Sequence, residues 1–224
     1  MDLDIRYEDE NIIVVYKPKG LATQTGRVGQ QDMVSLLKNH LAKASGSGAP
    51  FLGVVHRLDQ PVDGLLVFAK DKASAAALSQ QLSGGILNKH YTATVCGKVP
   101  EERVCLEDYL IKNEKNLAKI VPKDYKGAKK AILYFIRTET LDEKNQIYKL
   151  DVEIETGRFH QIRCQLAGAG YPILGDQKYG TGESGTLSAE LGVRNVALTA
   201  CTLEFVHPTT HKKMSFRLDP HYRL

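Results

Sequence analysis

Short apolar stretches with strand character dominate this chain, and helical spacing is confined to a few segments. Residues 5–8 and 11–16 read as strands set off by Glu10-Asn11. Met33 to Ala44 has helical spacing and is predicted to end in the loop Ser45-Gly46-Ser47-Gly48-Ala49-Pro50. The apolar run Phe51-Leu52-Gly53-Val54-Val55 predicts a buried strand leading into His56-Arg57-Leu58-Asp59, and Gly64 to Ala69 predicts a second. Lys72 to Leu82, alanine-rich with Leu78 and Leu82 four apart, predicts a helix. Tyr91 to Val95, Ala131 to Arg137 and Ile147 to Glu155 alternate as half-buried strands do. Thr156-Gly157 should break the last of these. A helix is expected close behind, with His160, Arg163, Cys164 and Ala167 on one face and Gly168 or Gly170 at its end, ahead of Pro172. Val196 to Phe205 and Met214 to Leu218 close the set. Strands outnumber helices and many links are hairpin-like, so the expected fold class is α+β with a largely antiparallel sheet.

Length and composition narrow this picture. With 224 residues, 42% of them hydrophobic and 25% charged, the chain can bury an ample core as one large domain or two small ones, with no need of a metal or disulfide staple. No internal repeat or long linker divides it. No apolar run approaches membrane-spanning length, and Met1-Asp2-Leu3-Asp4 is not the start of a signal peptide, so no membrane partner and a cytoplasmic location are expected. Cys96, Cys105, Cys164 and Cys201 are scattered without a Cys-x-x-Cys pair, which fits reduced thiols. No P-loop, dinucleotide fingerprint or cluster of metal ligands is present, which is consistent with chemistry that uses neither cofactor nor metal.

Net charge is only +4, and its distribution says more. Lysines 112, 115, 119, 123, 126, 129 and 130 face only Glu114 and Asp124 in their segment. Smaller basic groups lie at His211-Lys212-Lys213 with Arg217, and at Lys17, Lys19 and Arg27. Such runs are either solvated surface or a phosphate-binding face, and the second would give binding that weakens steeply with salt.

Candidate chemistry centres on His56-Arg57-Leu58-Asp59, a single carboxylate beside two ionisable neighbours where a strand pattern ends. A strand-end aspartate next to arginine is also a common surface ion pair. Further along come Asn88-Lys89-His90-Tyr91-Thr92-Ala93-Thr94-Val95, Glu155-Thr156-Gly157-Arg158-Phe159-His160-Gln161-Ile162-Arg163, and Gly170-Tyr171-Pro172-Ile173-Leu174-Gly175-Asp176. Leu198-Thr199-Ala200 and Phe205-Val206-His207-Pro208 follow, and Tyr7 to Leu21 opens the series. This ordered set resembles the RluA-type family of RNA pseudouridine synthases, from about Ile5 to Phe216.

The resemblance implies a single catalytic domain, residues 1–224, with a long curved mixed sheet flanked by helices, a central RNA cleft, and no N-terminal accessory RNA-binding domain. It implies isomerisation of specific uridines in structured ribosomal or transfer RNA. Asp59 would be the essential carboxylate, either attacking the anomeric carbon or removing a sugar proton. Arg163 would pair with it, and Tyr91 would lie against the target base, its hydroxyl placed to take the C5 proton. Arg57 corresponds to the residue proposed to fill the gap left by a flipped uridine. His56 is either a phosphate contact or a histidine satisfied inside the protein, Lys17 is expected near the cleft, and His160, a candidate RNA contact, is expected to support the helix and its loop more than to touch substrate. Lys126, Lys129 and Lys130 are candidate phosphate contacts. A monomer is expected. Gln60-Pro61-Val62-Asp63 departs from the family's usual pattern, and Asp63 is expected to point away from Asp59. The competing reading is a non-catalytic RNA-binding or RNA-folding protein on the same scaffold. A hydrolase using His56 and Asp59 is weaker, because no serine or cysteine nucleophile motif accompanies them.

Overall fold

The computed structural model describes residues 2–25, 29–45 and 50–218. Arg27 and most of the predicted 45–50 loop lie outside the described residues. In chain order the elements are β1 (Asp4–Glu8), β2 (Ile12–Lys17), α1 (Met33–Ser45), β3 (Gly53–Val54), β4 (Asp63–Ala69), α2 (Lys72–Ser83), β5 (Asn88–Cys96) and β6 (Val104–Lys112). They continue with β7 (Ala118–Val121), β8 (Lys129–Asp142), β9 (Ile147–Ile154), α3 (Gln161–Gly168), α4 (Gly182–Glu190), β10 (Leu198–Val206) and β11 (Lys213–Arg217). The fold is α+β, and the pairs β1–β2, β2–β4, β3–β4, β5–β9, β6–β7, β6–β8, β8–β9 and β10–β11 run antiparallel. The described residues form two compact units, one comprising residues up to Lys89 together with 200–218, the other His90–Thr199.

In the first unit, β2 pairs with β1 on one side and β4 on the other. Every residue of β2 and β4 is buried, which is why both read as continuous apolar runs and not as alternating ones. Their inward side chains build a core of Ile12, Val14, Tyr16, Leu65 and Val67, closed by Leu78 of α2 and by Leu203 and Phe205 of β10. Asp71 caps α2 by accepting from the Ser74 N–H at 2.8 Å, and Asp32 does the same for α1 through the Ser35 N–H at 2.7 Å. Gly64 is required at the start of β4: its φ is +130°, and an added Cβ would lie 2.4 Å from the Ala200 carbonyl oxygen.

The second unit orders its strands β5-β9-β8-β6-β7. Helix α3 packs against this sheet, with Cys164 in a small cluster with Leu110, Ala118 and Ala131. The Cys164 thiol is pushed up to about 11 by burial, which fits a packing residue.

Three differences from the sequence reading have physical causes. The strand expected at 51–55 shrinks to two residues, because Phe51 is 41% exposed and the chain leaves the sheet after Val54. The lysine-rich 112–130 segment contains β7 and the ends of β6 and β8; β6 carries Glu107 and Asp108 within its span, which hid its alternation. Helix α4 has no apolar stripe to betray it, since its buried face is Ser184 and Ser188.

Candidate active site

Asp59 stands in a loop, not at the end of a long strand, and the loop is fastened from both sides. Thr23 Oγ1 donates to the Leu58 carbonyl at 3.0 Å and accepts from the Leu58 N–H at 3.1 Å. The Gly20 N–H donates to the Gln60 carbonyl at 2.9 Å, and Gln60 Nε2 returns a bond to the Gly20 carbonyl at 2.9 Å. The Val62 N–H closes the turn onto the Asp59 carbonyl at 3.0 Å. Leu58 is buried, Arg57 is exposed and Asp59 is half-buried. The carboxylate is thus carried on a backbone with little freedom, as a positioned reactive group requires.

Lys17 lies beneath this loop and is fully buried. Its ammonium donates to the carbonyls of Leu21 at 2.8 Å, Pro18 at 3.0 Å and Gln60 at 3.3 Å. Burial lowers its pKa to about 8, against the pull of the Asp63 and Asp59 carboxylates. Lys17 thus ties the two loops together close to Asp59, and, fully buried, it has no surface to offer an RNA, a correction to its expected role as an RNA contact. Asp63 is buried too and accepts from the Tyr16 hydroxyl at 2.7 Å. His56 is likewise interior. Its Nε2 accepts from the Val67 N–H at 3.3 Å, and burial with the nearby Lys89 charge drives its pKa well below 6.5. A neutral, enclosed imidazole makes no phosphate contact, although its Nδ1 is buried without a hydrogen-bond partner among the described residues, so the histidine is interior but not fully satisfied.

In the second unit, Arg163 sits in the first turn of α3 with 3% of its surface exposed. Asp176 grips it with both oxygens, Nε to Oδ2 and Nη2 to Oδ1, each at 2.7 Å. The guanidinium holds the Asp176 carboxyl below its ordinary value against the opposing effect of burial. Asp176 is itself fixed by the N–H groups of Lys178 at 3.0 Å and Tyr179 at 3.2 Å. The Tyr179 ring lies 5.2 Å from Arg163 Cζ. Its hydroxyl accepts from the Ala118 N–H at 2.6 Å and meets His160 Nδ1 at 2.8 Å. The Gly175-Asp176 motif was legible in the sequence, but its role as the arginine's clamp was not.

Tyr91 lies on β5 opposite Val152 of β9 and is 5% exposed. His160 precedes α3 in a left-handed conformation, φ 50°, and is buried. Of the three candidate phosphate lysines, Lys126 and Lys129 are exposed. Lys130 pairs with Glu107 at 3.0 Å, which raises its pKa.

A family model described as RNA pseudouridylate synthase matches residues 11–168. The chain belongs to that family. It is 36% identical over 213 residues to the dual-specificity RNA pseudouridine synthase RluA of Vibrio parahaemolyticus, covering 93% of this chain and 79% of that one. An uncharacterized RNA pseudouridine synthase of Helicobacter pylori is 31% identical over 223 residues, covering 97% of this chain. The chain spans 66% of the length of that relative and of the Bacillus subtilis protein YhcT. Human RNA pseudouridylate synthase domain containing 4 shares the fold, with a TM-score of 0.78 at 21% identity over 98% of this chain and 89% of that one. Within the RNA pseudouridylate synthase family, then, this chain combines a doubly fastened aspartate loop with an arginine clamped by Asp176. Among the described residues no group of three or more His, Cys, Asp or Glu could hold a metal, and no helix is long and apolar enough to cross a membrane.

Proposed function

We propose that this chain is an RNA pseudouridine synthase that isomerises uridines of structured ribosomal or transfer RNA, acting as a cytoplasmic monomer without metal or organic cofactor. The reaction breaks the bond from ribose to the base nitrogen, turns the uracil, and joins its C5 to the same sugar carbon. Atoms are conserved and no oxidant or group donor is consumed, so ionisable side chains suffice. The observation that carries the reading is the half-buried Asp59 on a loop held from both sides, in a chain of this family.

In this proposal Asp59 acts as a carboxylate on the ribose, either as nucleophile or as base. Arg163, already oriented by Asp176, stabilises negative charge on the detached uracil. Tyr91 supplies an aromatic face for the base and a hydroxyl for the C5 proton. Arg57, exposed one position before Leu58, takes the place of the flipped nucleotide in the RNA stack. The His160 imidazole acts through Tyr179 to hold the α3 entry in place.

Incubating the purified protein with unmodified ribosomal and transfer RNA should yield pseudouridine at discrete positions. Binding without any pseudouridine would instead favour a non-catalytic RNA-binding role. Tyr91→Phe keeps the ring and removes the hydroxyl, so kcat is expected to fall about 100-fold with RNA affinity nearly unchanged. A wild-type rate in that variant would strip the hydroxyl of a chemical role. Replacing Lys126, Lys129 and Lys130 together by alanine should weaken RNA binding and flatten its dependence on salt. Because Lys130 is shared with Glu107, the change in slope should be nearer that of two phosphate contacts than of three, roughly 1.4 to 1.8. An unaltered slope measured by anisotropy would return the segment to plain surface.

A further inference from the structure

We propose that Phe159, with Lys112 and Arg158, forms a subsite for an unpaired RNA nucleotide, whose base stacks on Phe159 in the place now taken by the Lys112 ammonium. Phe159 is 38% exposed, although phenylalanine belongs among the residues most often buried. Its ring is backed by His160, stacked at 3.8 Å between centroids and tilted only 20°. Lys112 Nζ stands 4.8 Å from the Phe159 centroid. Arg158, the preceding residue, is exposed, and its Nε donates to the Lys130 carbonyl at 2.8 Å, which fixes the guanidinium.

The local backbone makes this arrangement. His160 holds a left-handed φ of 50° that only glycine adopts without strain, and strain of this kind is kept where surrounding contacts over-determine it. The turn buries His160 against Tyr179, ring to ring at 5.6 Å and 88°, while its neighbour Phe159 faces solvent. Phe159 therefore sits on a rigid stack that continues through His160 and Tyr179 to Arg163. A surface ammonium over a ring is a weak, exchangeable contact, and base–aromatic stacking is stronger. An arriving base displaces Lys112, whose ammonium then meets the adjoining phosphate together with Arg158. An acidic peptide would satisfy the cations but would leave the exposed ring without a partner, so the chemistry favours RNA.

This subsite rests on the RNA reading above, and its test separates the two. The chain contains no tryptophan, so Phe159→Trp installs a single indole reporter. Short oligouridylate should quench its emission saturably, while an abasic oligomer with the same phosphates should not. Phe159→Ala should weaken oligouridylate binding about tenfold with the salt slope unchanged, and Phe159→Tyr should restore it. Lys112→Ala should lower the slope by about 0.7. Flat emission while anisotropy reports bound oligouridylate would overturn the subsite, as would equal quenching by polyglutamate. If pseudouridine forms and emission stays flat, the subsite alone fails. If emission is quenched but no pseudouridine forms on any RNA, the synthase reading fails and the subsite stands. If oligouridylate does not bind at all, the subsite fails, and pseudouridine formation on structured RNA decides the synthase reading separately.

Discussion

Asp59→Asn abolishes pseudouridine formation, by at least about a thousandfold, while RNA affinity stays within a few-fold of wild type. The amide is nearly isosteric with the carboxylate, and none of the backbone bonds that hold the loop involves the side chain. Thr23 still bridges Leu58 in both directions, and Gly20 and Gln60 still exchange their bonds. What disappears is the negative charge, which nucleophilic attack and proton removal both need. The measurement is pseudouridine yield in single turnover alongside RNA anisotropy and a thermal melt. Full activity in the amide would remove Asp59 from the chemistry by either route. Loss of activity accompanied by a large fall in Tm would point instead to a broken loop.

Asp176→Ala has the largest expected effect on stability. The variant leaves the Arg163 guanidinium 97% enclosed without the carboxylate that now takes two of its N–H groups. Breaking a buried pair from one side costs about 3–5 kcal/mol, because the surviving charge keeps its desolvation penalty. For a chain of this length that corresponds to a fall in Tm of about 10 °C or more. Asp176→Asn, which keeps one acceptor, should lie between the variant and the wild type. The same pair sets an acid limit. The folded Asp176 carboxyl titrates below the ordinary 3.8, so its contribution is fully present above that value and is lost as pH falls through the lower folded value. The wild type should therefore lose stability more steeply below pH 4 than Asp176→Asn does. Parallel acid melts of the two proteins would show the pair to be energetically silent.

Local sequence by itself determined most of the architecture. Continuous apolar runs gave the buried strands β2 and β4, the alanine-rich spacing gave α2, and Thr156-Gly157 with Gly168 bounded α3. All of these depend on residues within a few positions of one another. The order of motifs around Asp59, Tyr91 and Arg163 was legible for the same reason, and it carried the family. Tertiary structure decided what each polar side chain does. Lys17 and His56 carry ordinary surface residue types, and only burial beneath the Asp59 loop turns one into a three-carbonyl clamp and the other into a neutral acceptor. Asp176 lies 13 positions from Arg163, and no local periodicity joins them. Helix α4 packs on serines whose hydroxyls bond backbone within the fold, Ser188 accepting from the Gly175 N–H, so its sequence carries no apolar stripe. Hydrophobic spacing is written along the chain, but the cost of burying a polar group is settled only by the partners that folding brings to it.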